Sequence, residues 1–253
     1  MGGDQVEGRR SVRELLYRPR TRAIDVWLAE DLDPSPILDE IAHLAMQARV
    51  PLRRVARSEL EAEARTDAPQ GVLAHARSLE EVDLDQLSRP KAGVVPFLVV
   101  LDGVTDPHNL GALLRSAVVA GTTGAVLPRH RAVHVTPAVT KAAAGAIEHV
   151  HLALVPGIPA ALAELSRNGV WTVGLDSGAP TSLFDLRIAD QPVALVLGAE
   201  GQGLGRLTRQ RCDVLASIPQ PGPLSCLNLA SAGAVACFEV ARSRIGAGAR
   251  RGR

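Results

Sequence analysis

The stretch Pro96-Phe97-Leu98-Val99-Val100-Leu101-Asp102-Gly103-Val104-Thr105-Asp106-Pro107-His108-Asn109-Leu110-Gly111-Ala112-Leu113-Leu114-Arg115-Ser116 carries the signal from which the fold follows. Residues 96–101 form an apolar run without alternation, which suits a strand buried on both faces of a parallel sheet. Polar and glycine residues then interrupt, and a helical pattern follows from Asn109 to Ala120. Asp106 is placed to cap that helix, and Pro107 fits its first turn. A strand, a turn and a helix in this order make the repeating unit of an α/β domain.

Working outward, the same rhythm recurs. Apolar runs at Gly124 to Leu127, Val150 to Val155, Val170 to Leu175, Val193 to Leu197 and Val214 to Ile218 read as further strands. Helical patterns fall between and after them, at Val135 to Ala146, Ile158 to Asn168, Gly203 to Gln210 and Leu227 to Arg244. Residues 94–246 are therefore expected to form a parallel sheet with helices on both faces. Upstream, residues 1–77 read as a small α/β unit. It has helices at Gly8 to Leu16 and Pro36 to Ala48, and strands at Ala23 to Leu28, Val50 to Val55 and Gly71 to Ala76. Between the two, Glu80, Glu81, Asp83 and Asp85 precede Arg89-Pro90-Lys91. Residues 78–93 read as a linker, with a short helix as the alternative. Residues 247–253 read as a basic tail.

Composition narrows the function classes. Hydrophobic residues make up 46% of the 253-residue chain and charged residues 22%, so a packed core is expected. No apolar run approaches the roughly 18 residues of a membrane span. The start, Met-Gly-Gly-Asp-Gln, lacks the features of a secretory signal, which predicts a cytoplasmic location. Cys212, Cys226 and Cys237 are an odd number without a C-x-x-C pair and read as free thiols. Of His130, His134, His149 and His151, the i, i+4 pair His130/His134 lies in an irregular Pro- and Arg-containing segment with no acidic partner nearby in sequence, so no metal site is expected. Net charge is only +1, yet Arg9, Arg10, Arg13, Arg18, Arg20 and Arg22 crowd the start. Arg242, Arg244, Arg250, Arg251 and Arg253 crowd the end. Such patches suit RNA phosphates, while a chain simply rich in Arg is the plainer account. Aromatic residues, at 2%, argue against modules that stack bases on exposed rings.

Chemistry is expected at the carboxyl ends of the strands, where open α/β sheets bind ligands. Asn109 and Arg115 follow the first such end. A solvated Arg on the polar helix face is the ordinary explanation of Arg115, and helix packing that of Gly111. The second end, Leu197-Gly198-Ala199-Glu200-Gly201-Gln202-Gly203-Leu204-Gly205, is a candidate backbone cradle or a plain turn. It satisfies neither the phosphate-loop pattern nor G-x-G-x-x-G. The third runs from Ser217-Ile218-Pro219 into Leu224-Ser225-Cys226-Leu227-Asn228-Leu229. There Ser225 reads as a helix N-cap, and Asn228 as a polar residue inside the first turn.

Together these blocks resemble the signature motifs of the SpoU, or TrmH-like, RNA 2′-O-methyltransferases of the SPOUT superfamily. The resemblance spans Leu98 to Arg242. It rests on Asp106-Pro107-His108-Asn109-Leu110-Gly111 with Arg115, on Gly198-Ala199-Glu200-Gly201, and on Leu227-Asn228. The first 77 residues are similar to the family's substrate-binding domain, related to ribosomal protein L30e, through Gly8 to Leu16 and Gln70-Gly71-Val72.

The resemblance implies a C-terminal trefoil knot, a homodimer with its active site near the subunit interface, and S-adenosylmethionine as cofactor. It assigns cofactor contact to Gly198, Ile218 and Leu227. Arg115 becomes the residue that activates or orients the ribose hydroxyl, with Asn109, Glu200 and Asn228 arranging the site. Because guanidinium stays protonated, a phosphate clamp is the alternative role for Arg115. Arg9, Arg10, Ser225 and Cys226 are expected to meet substrate RNA. Cys226 stands where the family usually has serine, so Ser225 is a candidate to take over. The favoured substrate is 23S ribosomal RNA. A transfer-RNA methyltransferase and a non-catalytic RNA-binding ribosome-assembly factor are the alternatives, and a nicotinamide-binding Rossmann enzyme is disfavoured by the failed glycine fingerprint.

Overall fold

The computed structural model describes residues 2–130, 132–187, 190–223 and 227–251, the last five of these by backbone only. The chain divides into two compact units. The first comprises residues 1–80 with 110–115 and 133–149; the second holds the remainder.

The first unit begins with β1 (Gln5–Glu7), α1 (Arg9–Tyr17), β2 (Ala23–Ala29) and α2 (Pro36–Gln47). It continues through β3 (Leu52–Val55), α3 (Arg57–Glu63) and β4 (Val72–Ala76). The four strands pair in the order β1-β4-β2-β3. Val12, Leu15 and Leu16 of α1 and Leu38, Ile41 and Ala45 of α2 pack with Val26, Leu28, Val72 and Ala74 of the sheet. Leu60 of α3 packs instead with Ala29, Val55 and Leu73, whose side chains alternate with those of the first set along their strands. The expected strands and helices form, and β1 and α3 are additions. At three residues β1 is too short to show a period; α3 is short and mostly charged, with Leu60 its only buried residue.

The second unit contains α4 (Leu84–Ser88), β5 (Phe97–Asp102), β6 (Gly124–Pro128), β7 (His151–Val155), α7 (Ile158–Arg167) and β8 (Trp171–Leu175). It is completed by β9 (Thr181–Ser182), β10 (Val193–Gly198), α8 (Arg206–Arg211), β11 (Val214–Ser217) and α9 (Leu229–Arg251). Between these lie α5 (Pro107–Val119), shared between the units, and α6 (Pro137–Ala142), which belongs to the first. In the stretch 78–93 the short helix α4 forms, with Leu84 and Leu87 buried.

The strands make one seven-stranded sheet in the order β7-β6-β5-β10-β8-β11-β9, and every pairing in it is parallel. Leu98 and Val100 of β5 and Ala194 and Val196 of β10 face α4 and α7. On the opposite face Val173, Val193 and Leu195 meet Val240 of α9. Helices therefore cover both faces, as unbroken apolar strands require.

Several helix ends depart from the sequence reading. The helix expected over Val135 to Ala146 stops at Ala142, because Ala144 and Gly145 adopt φ of 49° and 89°. The helix expected from Gly203 starts at Arg206, since Gly203 has φ of 67° and Gly205 is the N-cap. The last helix starts at Leu229 rather than Leu227 and runs past Arg244 to Arg251. Gly111 serves helix packing: a β-carbon there would lie 2.5 Å from that of Ala142 and 2.7 Å from the Val139 carbonyl oxygen.

Candidate cofactor cavity at the carboxyl ends of the sheet

Because the sheet is parallel, the carboxyl ends of β8, β10 and β11 lie at one edge, and a cavity of about 560 Å³ opens there. Its walls come from residues just beyond β8 (Asp176, Ser177), from the loop after β10 and from the segment after β11. Gly198, Ile218 and Leu227, the expected cofactor contacts, all line it, as do Glu200 and Asn228. The volume falls within the roughly 300–1,000 Å³ of small-molecule sites, and much of the wall is aliphatic, from Leu175, Leu197, Ala216, Ile218, Leu229 and Ala232.

The glycine loop is built by sterics. Ala199 and Gly203 form a bridge closed by a hydrogen bond from Gly203 N–H to the Ala199 carbonyl (2.9 Å). That turn brings the Gly203 carbonyl so near Gly198 that a β-carbon on Gly198 would lie 2.1 Å from its oxygen. No side chain is admissible at Gly198, so the backbone itself forms this wall. The far end of the loop is held by Asp102, at the end of the neighbouring strand β5, whose Oδ2 accepts a hydrogen bond from Gly205 N–H (3.0 Å). Gly103 follows Asp102, and a β-carbon there would be in ordinary contact with Ala199, at 3.8 Å.

Asn228 is corrected from a residue inside the helix to the residue before it. Its Oδ1 accepts a hydrogen bond from Ser231 N–H (2.8 Å), and its carbonyl accepts from Ala232 N–H (2.9 Å). It therefore caps α9, while its Nδ2 makes no hydrogen bond among the described residues. Ser225, the expected cap, lies outside the described residues, as does Cys226 with the question of which of the two replaces the family's serine. Glu200 is exposed and has no partner among the described residues.

Asn109 and Arg115 stand on α5 and are not among the residues lining the cavity. The start of α5 is fixed as expected, with Asp106 Oδ1 accepting from His108 N–H (2.8 Å) and Pro107 in the first turn. Asp106 Oδ2 also accepts from Asn109 Nδ2 (2.9 Å), which sets the orientation of that amide. Arg115 is exposed and makes no ion pair among the described residues. Sequence reasoning missed Asp176, although it directly follows the strand expected to end at Leu175 and the strand-end rule points to it.

Several charges counted in the terminal patches have structural partners. Arg22 pairs with Glu148 (2.6 Å) while donating to the Gly3 and Arg77 carbonyls. Arg242 pairs with Glu239 (2.6 Å). Arg244 donates to the Val95, Pro96 and Gln191 carbonyls and lies over the Phe97 ring. Burial lowers its pKa from the usual range. Arg9 donates to the Gln70 carbonyl (3.4 Å), so the segments Gly8 to Leu16 and Gln70-Gly71-Val72 meet, reinforced by Gly8 N–H to the Val72 carbonyl (3.0 Å). Arg10, Arg18 and Arg20 remain exposed without ion pairs among the described residues. No cluster of metal-ligating side chains occurs among the described residues, and none of their helices is long and apolar enough to cross a membrane. Cys212 and Cys237 are free thiols whose pKa is pushed up to about 12, mainly by burial.

A parallel α/β sheet with a glycine-walled cavity at its carboxyl edge and an asparagine-capped helix beside it is the arrangement of a small-molecule-binding α/β domain. Residues 96–238 match the SpoU rRNA Methylase family, and residues 5–82 match the RNA 2′-O ribose methyltransferase substrate binding family. The chain is 38% identical over 250 residues to the 23S rRNA (guanosine-2′-O-)-methyltransferase RlmB of Haemophilus influenzae, covering 96% of this chain and 99% of that protein. It is 35% identical to the putative TrmH family tRNA/rRNA methyltransferase YacO of Bacillus subtilis, covering 95% and 96%. Its fold matches the SpoU methyltransferase AviRb from Streptomyces viridochromogenes, solved in complex with AdoMet, with a TM-score of 0.76, 24% identity and coverage of 96% and 90%. The chain belongs to the SpoU rRNA methylase family, and its class of activity is RNA 2′-O-methyl transfer.

Proposed function

We propose that the protein methylates the ribose 2′-hydroxyl of a guanosine in 23S ribosomal RNA, with S-adenosylmethionine as methyl donor. The observation that carries this reading is the convergence of Gly198, Glu200, Ile218, Leu227 and Asn228 on one cavity, together with full-length similarity to the Haemophilus influenzae RlmB. S-adenosylmethionine, when bound, supplies an already activated methyl group. The chain's task is then to hold two reactants in line and manage one proton. Orientation is worth roughly 7–11 kcal/mol, more than the factor of about 10²–10⁴ from general-base help.

Gly198, Ile218 and Leu227 would hold the cofactor through backbone and aliphatic contact, and Asn228 would position polar groups from the helix cap. Arg115, exposed on α5, would orient the ribose by gripping the adjoining phosphate, and Asn109, fixed by Asp106 at the start of the same helix, would help to arrange the site. The unpaired Arg10 and the rim residue Arg9 of the first unit would contact RNA phosphates. That unit would act as the L30e-like substrate-binding domain, supported by its match to the substrate-binding family.

A trefoil knot would explain how the chain after β11 returns to the same cavity as the loop after β10. A homodimer would cover the exposed Val235, Phe238 and Ile245, which recur along one face of α9. A ribosomal-RNA substrate would place the enzyme in the cytoplasm. The test is incubation with tritiated S-adenosylmethionine and separate ribosomal and transfer RNA pools, followed by mapping of 2′-O-methyl positions. Incorporation at one 23S guanosine is expected; labelling confined to transfer RNA would transfer the reading to that substrate.

A further inference from the structure

One side chain in the cavity wall is more firmly held than its place on a loop requires. Asp176 lies just beyond β8, with a side chain only 16% exposed. Its Oδ1 accepts from Gly178 N–H (2.9 Å), and its Oδ2 pairs with Arg209 Nη1 of α8 (3.1 Å). Its main chain is fixed as well: its N–H donates to the Ala216 carbonyl (3.0 Å), and its own carbonyl accepts from Ala179 N–H (3.1 Å). Both carboxylate oxygens are thus oriented, and each has one partner. An ionised carboxylate offers about four lone-pair sites, so one site on each oxygen stays open. Nothing in the packing of β8 calls for a carboxylate facing this cavity.

We propose that Asp176 is a cofactor-binding residue that accepts hydrogen bonds from the two adjacent ribose hydroxyls of the adenosyl group. The proposal rests on the reading of the cavity as the S-adenosylmethionine site. Two features select the diol over the cofactor's other donors. A rigid carboxylate with one free site on each oxygen matches two parallel O–H donors. Arg209 already neutralises Asp176, so the group acts as a hydrogen-bond acceptor more than as a counter-ion. The remaining carboxylate of the wall, Glu200, is unpaired and so better suited to a cationic group. The Asp176–Arg209 pair also ties the end of β8 to the helix that follows the glycine loop, so cofactor grip and loop position are joined at one residue.

Titration calorimetry of the full chain with S-adenosylhomocysteine, 5′-methylthioadenosine and its 2′,3′-dideoxy analogue tests this without turnover. The wild type is expected to bind methylthioadenosine at least about tenfold more tightly than the dideoxy analogue. Asp176→Asn should erase that preference and weaken homocysteine and methylthio ligands equally, by about ten- to a hundredfold. Arg209→Met should lower affinity for all ligands while keeping the preference. A wild type indifferent to the diol overturns the proposal, as does a preference that survives in Asp176→Asn. A loss confined to S-adenosylhomocysteine would also overturn it, placing the carboxylate at the amino-acid end. Asp176→Ser, which retains an acceptor for Gly178, replaces Asp176→Asn should the latter not fold. Failure of the wild type to bind any of the three would instead remove the cofactor reading itself.

Discussion

The carboxyl edge of the seven-stranded sheet and the arginine-bearing rim around α1 in the smaller unit are built in opposite ways. At the first, shape comes from what is forbidden: Gly198 admits no β-carbon, and Asp102 fastens the loop that excludes it. At the second, an ordinary aliphatic core supports exposed arginines, of which Arg10, Arg18 and Arg20 have no ion pair among the described residues. A steric wall fails at a single substitution, whereas a charged rim loses affinity in increments.

The largest effect is expected at Arg115, which belongs to neither device. Arg115→Ala should lower turnover by about 10²–10⁴ while S-adenosylhomocysteine affinity, measured by calorimetry, stays within about threefold. Near-normal turnover would remove it from the mechanism. Gly198→Ala probes the steric wall directly. The added β-carbon forces the loop to move, and cofactor affinity should fall by about a hundredfold, in line with the roughly 1–3 kcal/mol of an overpacked site. Unchanged affinity would break the contrast between the two regions.

Glu7 tests the smaller unit's stability. This buried carboxylate accepts hydrogen bonds from Gln5, from Arg65 N–H (2.7 Å) and from the Thr66 N–H and hydroxyl. Glu7→Gln should cost about 1.5–3 kcal/mol in denaturant unfolding with cofactor binding by the larger unit retained. Arg9→Ala and Arg10→Ala sharpen the charged-rim side. Each should raise the KM for RNA a fewfold and lower the salt slope of RNA binding by about one unit, with turnover at saturating RNA unchanged. A collapse at either position would mean that the rim, too, is an all-or-none device.

The smallest effect concerns pH. The raised pKa of Cys212 and Cys237 means that above about pH 9 the unfolded chain ionises its thiols while the folded chain keeps them protonated. Their contribution to stability is therefore complete below that point and declines as pH rises toward 12. Alkylation at about pH 8 should label Cys237 only after unfolding, and the half-buried Cys212 more slowly than a free thiol; rapid labelling of Cys237 in the native protein would contradict its burial.

The parallel sheet was legible because strands buried on both faces write themselves as unbroken apolar runs, as in Phe97 to Leu101 and Val193 to Leu197. The carboxyl-edge site followed from the same reading, since glycine and polar residues can interrupt such runs only where the chain leaves the sheet. Less was visible where tertiary contacts decide. Strand β1 has three residues and no period to detect. The helix around Lys141 ends early because of backbone geometry at Ala144, a residue that gives no turn signal. Asp176 escaped because an aspartate after a strand is common in turns, and only its fixed hydrogen bonds distinguish it. The basic termini misled in part, for Arg22 is held by the Glu148 carboxylate and the Arg77 carbonyl, and Arg244 by the Val95 and Pro96 carbonyls, partners that no linear reading places beside them.

The central claim is that the methyl group goes to a ribose oxygen of 23S ribosomal RNA, and alkaline hydrolysis tests it most directly. A 2′-O-methyl group removes the nucleophile that cleaves the adjacent phosphodiester. RNA labelled from tritiated S-adenosylmethionine and hydrolysed in alkali should therefore yield its tritium in an alkali-resistant dinucleotide beginning with 2′-O-methylguanosine. Tritium recovered in mononucleotides would place the methyl group on a base and contradict the account.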